Sequence, residues 1–139
     1  MTAQTSTVTF YPSVLYRDAD AAMSWLERTL GFERREDHRD ERGNVQHAEL
    51  SLGSAIVMLG SAGAGREPFR ALPAGGSLVY CGVEDVDALY ERARAAGAEI
   101  PLEPMDTDYG SRDFTARDPE GNLWAFGTYR PGAGGDGES

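Results

Sequence analysis

The sequence contains a single cysteine and no apolar run long enough to cross a membrane. With only Cys81 available, an internal disulfide is excluded, and its apolar neighbours Val79 and Tyr80 favour a buried core position over a nucleophile. A membrane-spanning helix needs about 18 consecutive apolar residues, which no segment provides. Residues 1–9 also lack the charged-then-apolar order of a signal peptide. We therefore expect a cytoplasmic protein without a membrane partner.

The motifs of several common chemistries are also absent. No Cys and His spacing of a zinc site occurs, and neither do the Gly-x-Ser-x-Gly, P-loop or Gly-x-Gly-x-x-Gly motifs. Basic residues are scarce, because 13 Lys and Arg stand against 23 Asp and Glu and leave a net charge of −10. This charge repels nucleic acid and anionic membranes and attracts cationic small molecules. It also serves solubility whatever the ligand.

The composition is that of one globular domain. Hydrophobic residues make up 40% of the 139 residues and charged residues 26%, which is too apolar for a disordered chain. A single core typically occupies about 100–150 residues, so two unrelated domains would each be too small. The sequence predicts one domain at residues 8–130, between a flexible N-terminus at 1–7 and a disordered, glycine-rich tail at 131–139.

Hydrophobic periodicity and turn signals divide this domain into two similar halves. The first half reads as a strand, a helix and three strands, predicted at residues 8–16, 18–31, 32–38, 45–52 and 55–59. The second half repeats this order at residues 77–83, 86–96, 99–102, 112–117 and 122–129. Module one therefore covers about 8–60 and module two about 77–130, and a glycine-rich linker at 61–76 joins them.

The internal repeat is the most informative feature of the sequence. The letters RDADA at 17–21 match EDVDA at 84–88, and the helix stops Gly31 and Gly97 follow at nearly the same offset. One short sheet with one helix buries too little apolar area alone, so the halves need a common core. Strand alternation assigns Trp124 and Phe126 to that core. We predict an α+β fold, in which two βαβββ modules form curved mixed sheets around a cleft.

The repeated pattern resembles the vicinal oxygen chelate superfamily, which holds glyoxalase I, extradiol dioxygenases and bleomycin-resistance proteins. In module one the similar segments are LYRDADA at 15–21, WL at 25–26 and LGF at 30–32, and in module two VEDV at 83–86 and RDPEGNLW at 117–124. The resemblance covers residues 8–129 and implies a divalent metal held by His and Glu side chains of both modules. It also implies a homodimer.

The positions implied for metal ligands do not carry the usual residues. They fall on Tyr11, Met58, Leu78 and Ala125. Only the phenol of Tyr11 is a metal ligand at all, and a weak one. We therefore expect no metal cofactor. The pattern is similar to that of the superfamily's metal-free members, which sequester antibiotics such as bleomycin, and it implies a binding protein for an aromatic or cationic small molecule.

The predicted binding residues lie on strand faces turned toward the cleft. An apolar and aromatic set with a few polar groups suits a flat organic ligand. The set comprises Tyr11, His47, Glu49, Met58, Leu78, Tyr80, Asp113 and Thr115. A one-residue change of register would turn the last two away. Tyr109 and Arg112 precede their strand, where they either close over a ligand or lie on the surface.

His47 and Glu49 support an alternative, because alternation places both on one face of their strand. They would then hold a relocated divalent metal or act as acid and base in a lyase, isomerase or dioxygenase. The simpler interpretation is a solvated pair, and His38 in the charged run 34–42 is predicted to be a surface residue. An inactive interaction module is a third possibility.

Overall fold

A computed structural model describes residues 8–132 of the chain. The predicted flexible N-terminus at 1–7, and residues 133–139 of the predicted disordered tail, lie outside the described residues. No helix among the described residues is long and apolar enough to span a membrane.

Two mixed four-stranded sheets, each with its own helix, form the protein. The first module contains β1 (Ser13–Tyr16), α1 (Ala19–Trp25), β2 (Glu33–Arg39), β3 (Val45–Leu52) and β4 (Ala55–Ser61). The second contains β5 (Leu78–Gly82), α2 (Val86–Ala95), β6 (Glu99–Asp106), β7 (Arg112–Arg117) and β8 (Leu123–Gly127). The strand orders, β1-β4-β3-β2 and β5-β8-β7-β6, are equivalent, and β1/β4 and β5/β8 are the parallel pairs. The predicted α+β fold of two βαβββ modules is confirmed.

Both helices begin and end as the repeat predicts. The Asp18 carboxylate accepts a hydrogen bond from the Ala21 N–H, and the Asp85 carboxylate one from the Ala88 N–H, at 3.0 Å in each case. The first helix continues beyond α1 as a π-helical turn, Leu26–Leu30, and stops at Gly31, whose φ of 84° is the left-handed conformation that glycine adopts readily.

Each sheet has an inner face, turned to the helices, and an open face. The inner faces of the two modules share one buried core. Trp124 and Phe126 are fully buried there, as alternation predicts, and Trp25 of α1 is buried with them. The ring of Phe32 meets Trp124 edge to face, with centroids 5.7 Å apart, so an aromatic contact crosses the module boundary.

Hydrogen bonds from the β7–β8 turn also join the modules. The Tyr16 hydroxyl at the end of β1 donates to the Asp118 carboxylate at 2.6 Å. The Glu120 carboxylate accepts from the backbone N–H groups of Arg17 and Asp18, both at 2.7 Å. A carboxylate in this position accepts hydrogen bonds from free N–H groups at the start of a helix. Its negative charge also interacts favourably with the positive end of the helix dipole. The second module therefore caps the helix of the first.

Several strand boundaries differ from the sequence-based predictions. β1 begins at Ser13 rather than at residue 8, because Pro12 accepts from the Met58 N–H at 2.9 Å but has no N–H with which to continue the ladder. β6 continues to Asp106 rather than ending at 102, although Pro101 and Pro104 interrupt its pattern. It is an edge strand with two register shifts, where proline is tolerated.

The other corrections are smaller. β4 extends to Ser61, two residues beyond its predicted end, and β8 covers Leu123–Gly127 rather than 122–129. The linker is irregular as predicted except for one 3-10 turn at Phe69–Ala71.

Candidate functional site

The open face of the first sheet carries the predicted histidine and glutamate pair. His47 Nε2 lies 2.8 Å from Glu49 Oε2 on the same strand, and both side chains are partly exposed. The register places Glu49 opposite Met58 of β4, and Met58 beside Ser13 of β1. The pair therefore lies within reach of a ligand on this face.

A second pair on β2 faces the first, which the sequence did not indicate. His38 Nε2 lies 2.9 Å from Glu36 Oε1, and the His38 ring stacks on His47 with centroids 6.2 Å apart. Antiparallel pairing puts Glu36 opposite Glu49. The prediction that His38 is a surface residue is confirmed, because 62% of its side chain is exposed. Each histidine contacts one carboxylate and the other ring.

A hollow of about 720 Å³ lies over one end of this open face. Leu15 and His47 line it from the strands, and Arg66 and Phe69 line it from the glycine-rich linker. The glycine-rich linker, which the sequence predicted only as a connection between the modules, therefore also borders this hollow.

A separate groove of about 350 Å³ runs between the two modules. Tyr11, Phe32 and Ile56 line it from the first module, and Tyr80 and Trp124 from the second. Of the predicted binding residues, the structure brings Tyr11 and Tyr80 together here.

Cys81 also lines the inter-module groove, beside Tyr80 on β5. Burial raises the pKa of its thiol to about 11, so the thiol stays protonated at neutral pH. Cys81 is only partly buried, however, so it packs against the core rather than within it, where the sequence predicted it.

The open face of the second sheet holds the remaining predicted residues. The register aligns Tyr80 with Ala125 and Ala125 with Thr115, while Asp113 lies opposite Gly127. Leu78, two residues before Tyr80 on β5, is 67% exposed. Around Tyr80 and Asp113 this face is apolar and phenolic with one carboxylate, and much of it is open to solvent.

Asp113 lies at the centre of a polar cluster on this face. Its carboxylate accepts hydrogen bonds from the Ser111 hydroxyl and, at 3.3 Å, from the Tyr109 hydroxyl. The Tyr80 hydroxyl donates to the Tyr129 carbonyl at 2.7 Å. Partial burial and the nearby Asp113 charge raise the pKa of Tyr80, so its phenol is neutral at physiological pH.

The sequence did not connect Tyr109 with Tyr129. The loop before β7 brings them together, because the Thr107 N–H bonds the Ser111 carbonyl at 2.7 Å and folds the intervening residues into a turn. Strand alternation could indicate that Tyr80 and its neighbours share one face of the sheet. No sequence pattern indicated how the loop before β7 would place Tyr109.

The residues at the positions that the resemblance implies for metal ligands do not fit a divalent metal. Met58 and Ala125 lie on the two open faces, and neither they nor Leu78 offer an oxygen or nitrogen ligand. Tyr11 lies outside the strands, half exposed at the inter-module groove. Among residues 8–132, no three His, Cys, Asp or Glu side chains are grouped so that they could hold a metal ion.

Comparison with known proteins places this arrangement in a family. The family model described as the Glyoxalase/Bleomycin resistance protein/Dioxygenase superfamily matches residues 8–126. TioX from Micromonospora sp. ML1 has a similar crystal structure, with a TM-score of 0.71 and 35% sequence identity over 88% of this chain and 100% of that chain. No curated protein shows significant similarity to the sequence.

Two further crystal structures have the same fold. A glyoxalase/bleomycin resistance protein from Streptomyces sp. CB03234 gives a TM-score of 0.61 at 25% identity, over 82% of this chain and 94% of that chain. A glyoxalase/bleomycin resistance protein/dioxygenase from Nocardioides gives 0.67 at 24% identity, over 94% and 89% respectively. With a family model that matches most of its length and a relative at 35% identity, the chain belongs to the glyoxalase/bleomycin resistance protein/dioxygenase superfamily.

Proposed function

We propose that this protein binds an aromatic or cationic small molecule in the cytoplasm, without a metal, in the manner of antibiotic-sequestering resistance proteins. The observation that carries the proposal is the residue set at the metal positions, where Met58, Leu78 and Ala125 present apolar surface and Tyr11 a phenol. Apolar side chains do not bind the metal ion that Lewis-acid chemistry requires, and they suit the burial of an organic ligand.

The exposed apolar area of the second sheet supports this function. Leu78, Leu102 and Met105 are each more than half exposed. The register places Leu102 opposite Thr115 and Met105 opposite Asp113. Exposed apolar side chains on an open sheet face can be covered by a ligand, and their burial is favourable by about 25 cal/mol per Å² of apolar area.

We also propose that two chains form a homodimer, and that its clefts lie between open faces. The described part of one chain buries the inner faces and leaves both open faces uncovered. Pairing the open face of one chain with that of a second copy would convert each shallow surface into an enclosed site. Small molecules are bound most strongly where most of their surface is covered.

The homodimer is tested by light scattering with Leu78→Glu. We expect the wild type to have twice the 15.0 kDa mass of the chain and Leu78→Glu to be monomeric. The variant should keep its secondary structure, because Leu78 is 67% exposed within one chain. Leu72→Glu, which changes an exposed linker leucine in the same way, serves as the matched control and should remain dimeric. A monomeric wild type at micromolar concentration would contradict this proposal.

Thermal unfolding against a panel of ligands tests the binding function. The panel contains metal-free bleomycin, other cationic and aromatic antibiotics, and divalent metals. At a concentration of 100 Kd, a ligand that binds only the folded state adds about 2.7 kcal/mol to its stability. That corresponds to a rise of about 10 °C in Tm for a domain of this size. We expect organic ligands and not metals to produce it, and a panel without any organic hit would refute the proposal.

The 2.8 Å contact between His47 and Glu49 favours one alternative function. In that alternative, the pair serves a glyoxalase-like lyase or isomerase, or a dioxygenase, either as acid and base or as two ligands of a divalent metal. His47→Ala would then abolish turnover of a substrate while the Tm is retained. For the binding function we expect His47→Ala to change affinity alone.

A further inference from the structure

We propose that the open face of the second sheet carries a binding site for an organic cation, formed by Tyr80, Tyr109, Tyr129 and Asp113. This inference rests on the proposed function, because it specifies the chemical class of the ligand and the half of the protein that selects it. Tyr129 is not among the residues that sequence patterns placed in the site, and Tyr109 was predicted either to close over a ligand or to lie on the surface. Their role follows from their arrangement near one carboxylate.

The hydroxyls of Tyr109 and Tyr80 lie near the Asp113 carboxylate, and the Tyr129 ring packs against the Tyr109 ring. The planes of the Tyr109 and Tyr129 rings are at 87° to each other, with centroids 5.9 Å apart, so the edge of one ring points at the face of the other. The Tyr80 hydroxyl is bound to the Tyr129 carbonyl at 2.7 Å, and the Tyr109 hydroxyl reaches Asp113 Oδ2 at 3.3 Å. Ring faces attract cations through their quadrupole, and a central carboxylate adds a full negative charge.

Gly127 makes room for this arrangement. A Cβ atom at position 127 would clash with the Asp113 carboxylate and would lie 2.7 Å from the Tyr80 hydroxyl oxygen. The φ angle of Gly127 is not positive, so the conformation itself does not demand glycine. The missing side chain instead lets the carboxylate and the phenol lie over β8.

The charge of Asp113 is available to a ligand. Within residues 8–132, Asp113 forms no ion pair, whereas its neighbour Arg112 is engaged by Asp87 at 3.0 Å and Asp106 at 3.2 Å. Arg130 packs against Gly82, and its effect on the pKa of Tyr80 is smaller than that of Asp113. The net charge of −10 further raises the local concentration of cations and lowers that of anions.

The rings are also accessible. Tyr109 is 64% exposed, Tyr129 46% and Tyr80 37%, so a ligand can contact all three without displacing core residues. The hydroxyl of Ser111 binds the other side of the carboxylate and holds it in place. A site that combines preset rings with a carboxylate that forms no ion pair within residues 8–132 fits a quaternary or protonated amine better than a neutral or anionic molecule.

The test uses choline and its uncharged isostere 3,3-dimethyl-1-butanol as probes. Both are titrated into the full-length ¹⁵N-labelled protein, and amide shifts of Gly127 and Thr128 report on the site. We expect choline to bind at this position and the alcohol to bind at least about fivefold more weakly. The attraction between two unit charges about 4 Å apart accounts for about this factor in water, and for more where water is partly excluded. Equal binding of the two probes, or no choline shifts at these residues, would overturn the inference.

Paired variants separate the contribution of the Asp113 charge to choline binding from that of the Tyr109 ring. Asp113→Asn should weaken choline binding at least about fivefold, and Tyr109→Leu about threefold, whereas Tyr109→Phe should retain it because the ring remains. Glu99→Gln removes one charge at an exposed ion pair with Arg117 and serves as the control for net charge. Unchanged affinity in Asp113→Asn would overturn the inference. If neutral aromatic ligands raise the Tm while choline fails, the proposed function stands and this site assignment falls.

Discussion

Replacing Asp118 with alanine should lower the free energy of unfolding by about 3–5 kcal/mol, because it leaves several buried donors without an acceptor. The Asp118 side chain is only 3% exposed. It accepts from the Tyr16 hydroxyl at 2.6 Å, the Trp124 indole at 3.1 Å, the Glu120 N–H at 2.9 Å, and the N–H and amide of Asn122 at 3.0 and 3.1 Å. Urea denaturation followed by circular dichroism measures the loss.

Tyr16→Phe is the matched control for this variant. Burial and the Asp118 carboxylate raise the pKa of Tyr16 far above its usual range, so its hydroxyl is a donor at every accessible pH. Removing that hydroxyl deletes one of the five bonds and should lower stability by only about 1–2 kcal/mol. A loss below about 1 kcal/mol for Asp118→Ala would show that water replaces the carboxylate and that the turn does not lock the modules together.

Trp124→Ala should have a comparable effect for a different reason. Trp124 is fully buried, packs edge to face on Phe32 of the other module, and donates to Asp118. Truncation of a buried aromatic side chain typically lowers stability by about 3–5 kcal/mol, through lost burial and the cavity that remains. Chemical denaturation with the m-value monitored tests this expectation, and Trp124→Phe, which keeps most of the volume, should lose less.

The two effects should not add. Trp124 and Asp118 are in direct contact, and contacting residues commonly couple by about 0.5–3 kcal/mol. After Asp118→Ala, the Trp124 indole has already lost its acceptor, so the second substitution removes less. Additivity within error in the double variant would indicate that the hydrogen bond contributes nothing to the junction.

The turn sequence RDPEGN gains a physical meaning from these contacts. Asp118 binds donors within its own turn and the Tyr16 hydroxyl of the other module, while Glu120 caps the first helix. Each acidic residue therefore stabilises a different part of the module junction. The sequence indicated a turn typical of the family, and the structure explains the residue types at both positions.

Local signals predicted most of the fold. Aspartates before both helices, glycines after them and alternation along β3 and β8 each act over a few residues, and the structure bears them out. The start of β1 and the end of β6 were wrong. Both are edge strands, but β1 starts only after Pro12, whereas β6 continues past its prolines through two register shifts. This difference depends on how the strands pair, which a single strand does not encode.

The candidate site was harder to predict. Alternation put Tyr80 and Asp113 on one face, but their cluster also needs Tyr109 and Tyr129, which a loop brings together from 20 residues apart in the sequence. His38 likewise reaches His47 only through the β2–β3 register. Contacts between distant segments depend on how loops and strands pair, and the sequence pattern alone does not specify them.

We propose that the open faces bind a small organic molecule without a metal. The most direct measurement is a calorimetric titration with the organic ligand that gives the largest thermal shift, on protein whose metal content has been determined, with and without excess EDTA. We expect far less than one equivalent of divalent metal and the same Kd in both buffers. One equivalent of bound metal, with ligand binding that EDTA abolishes, would contradict the account.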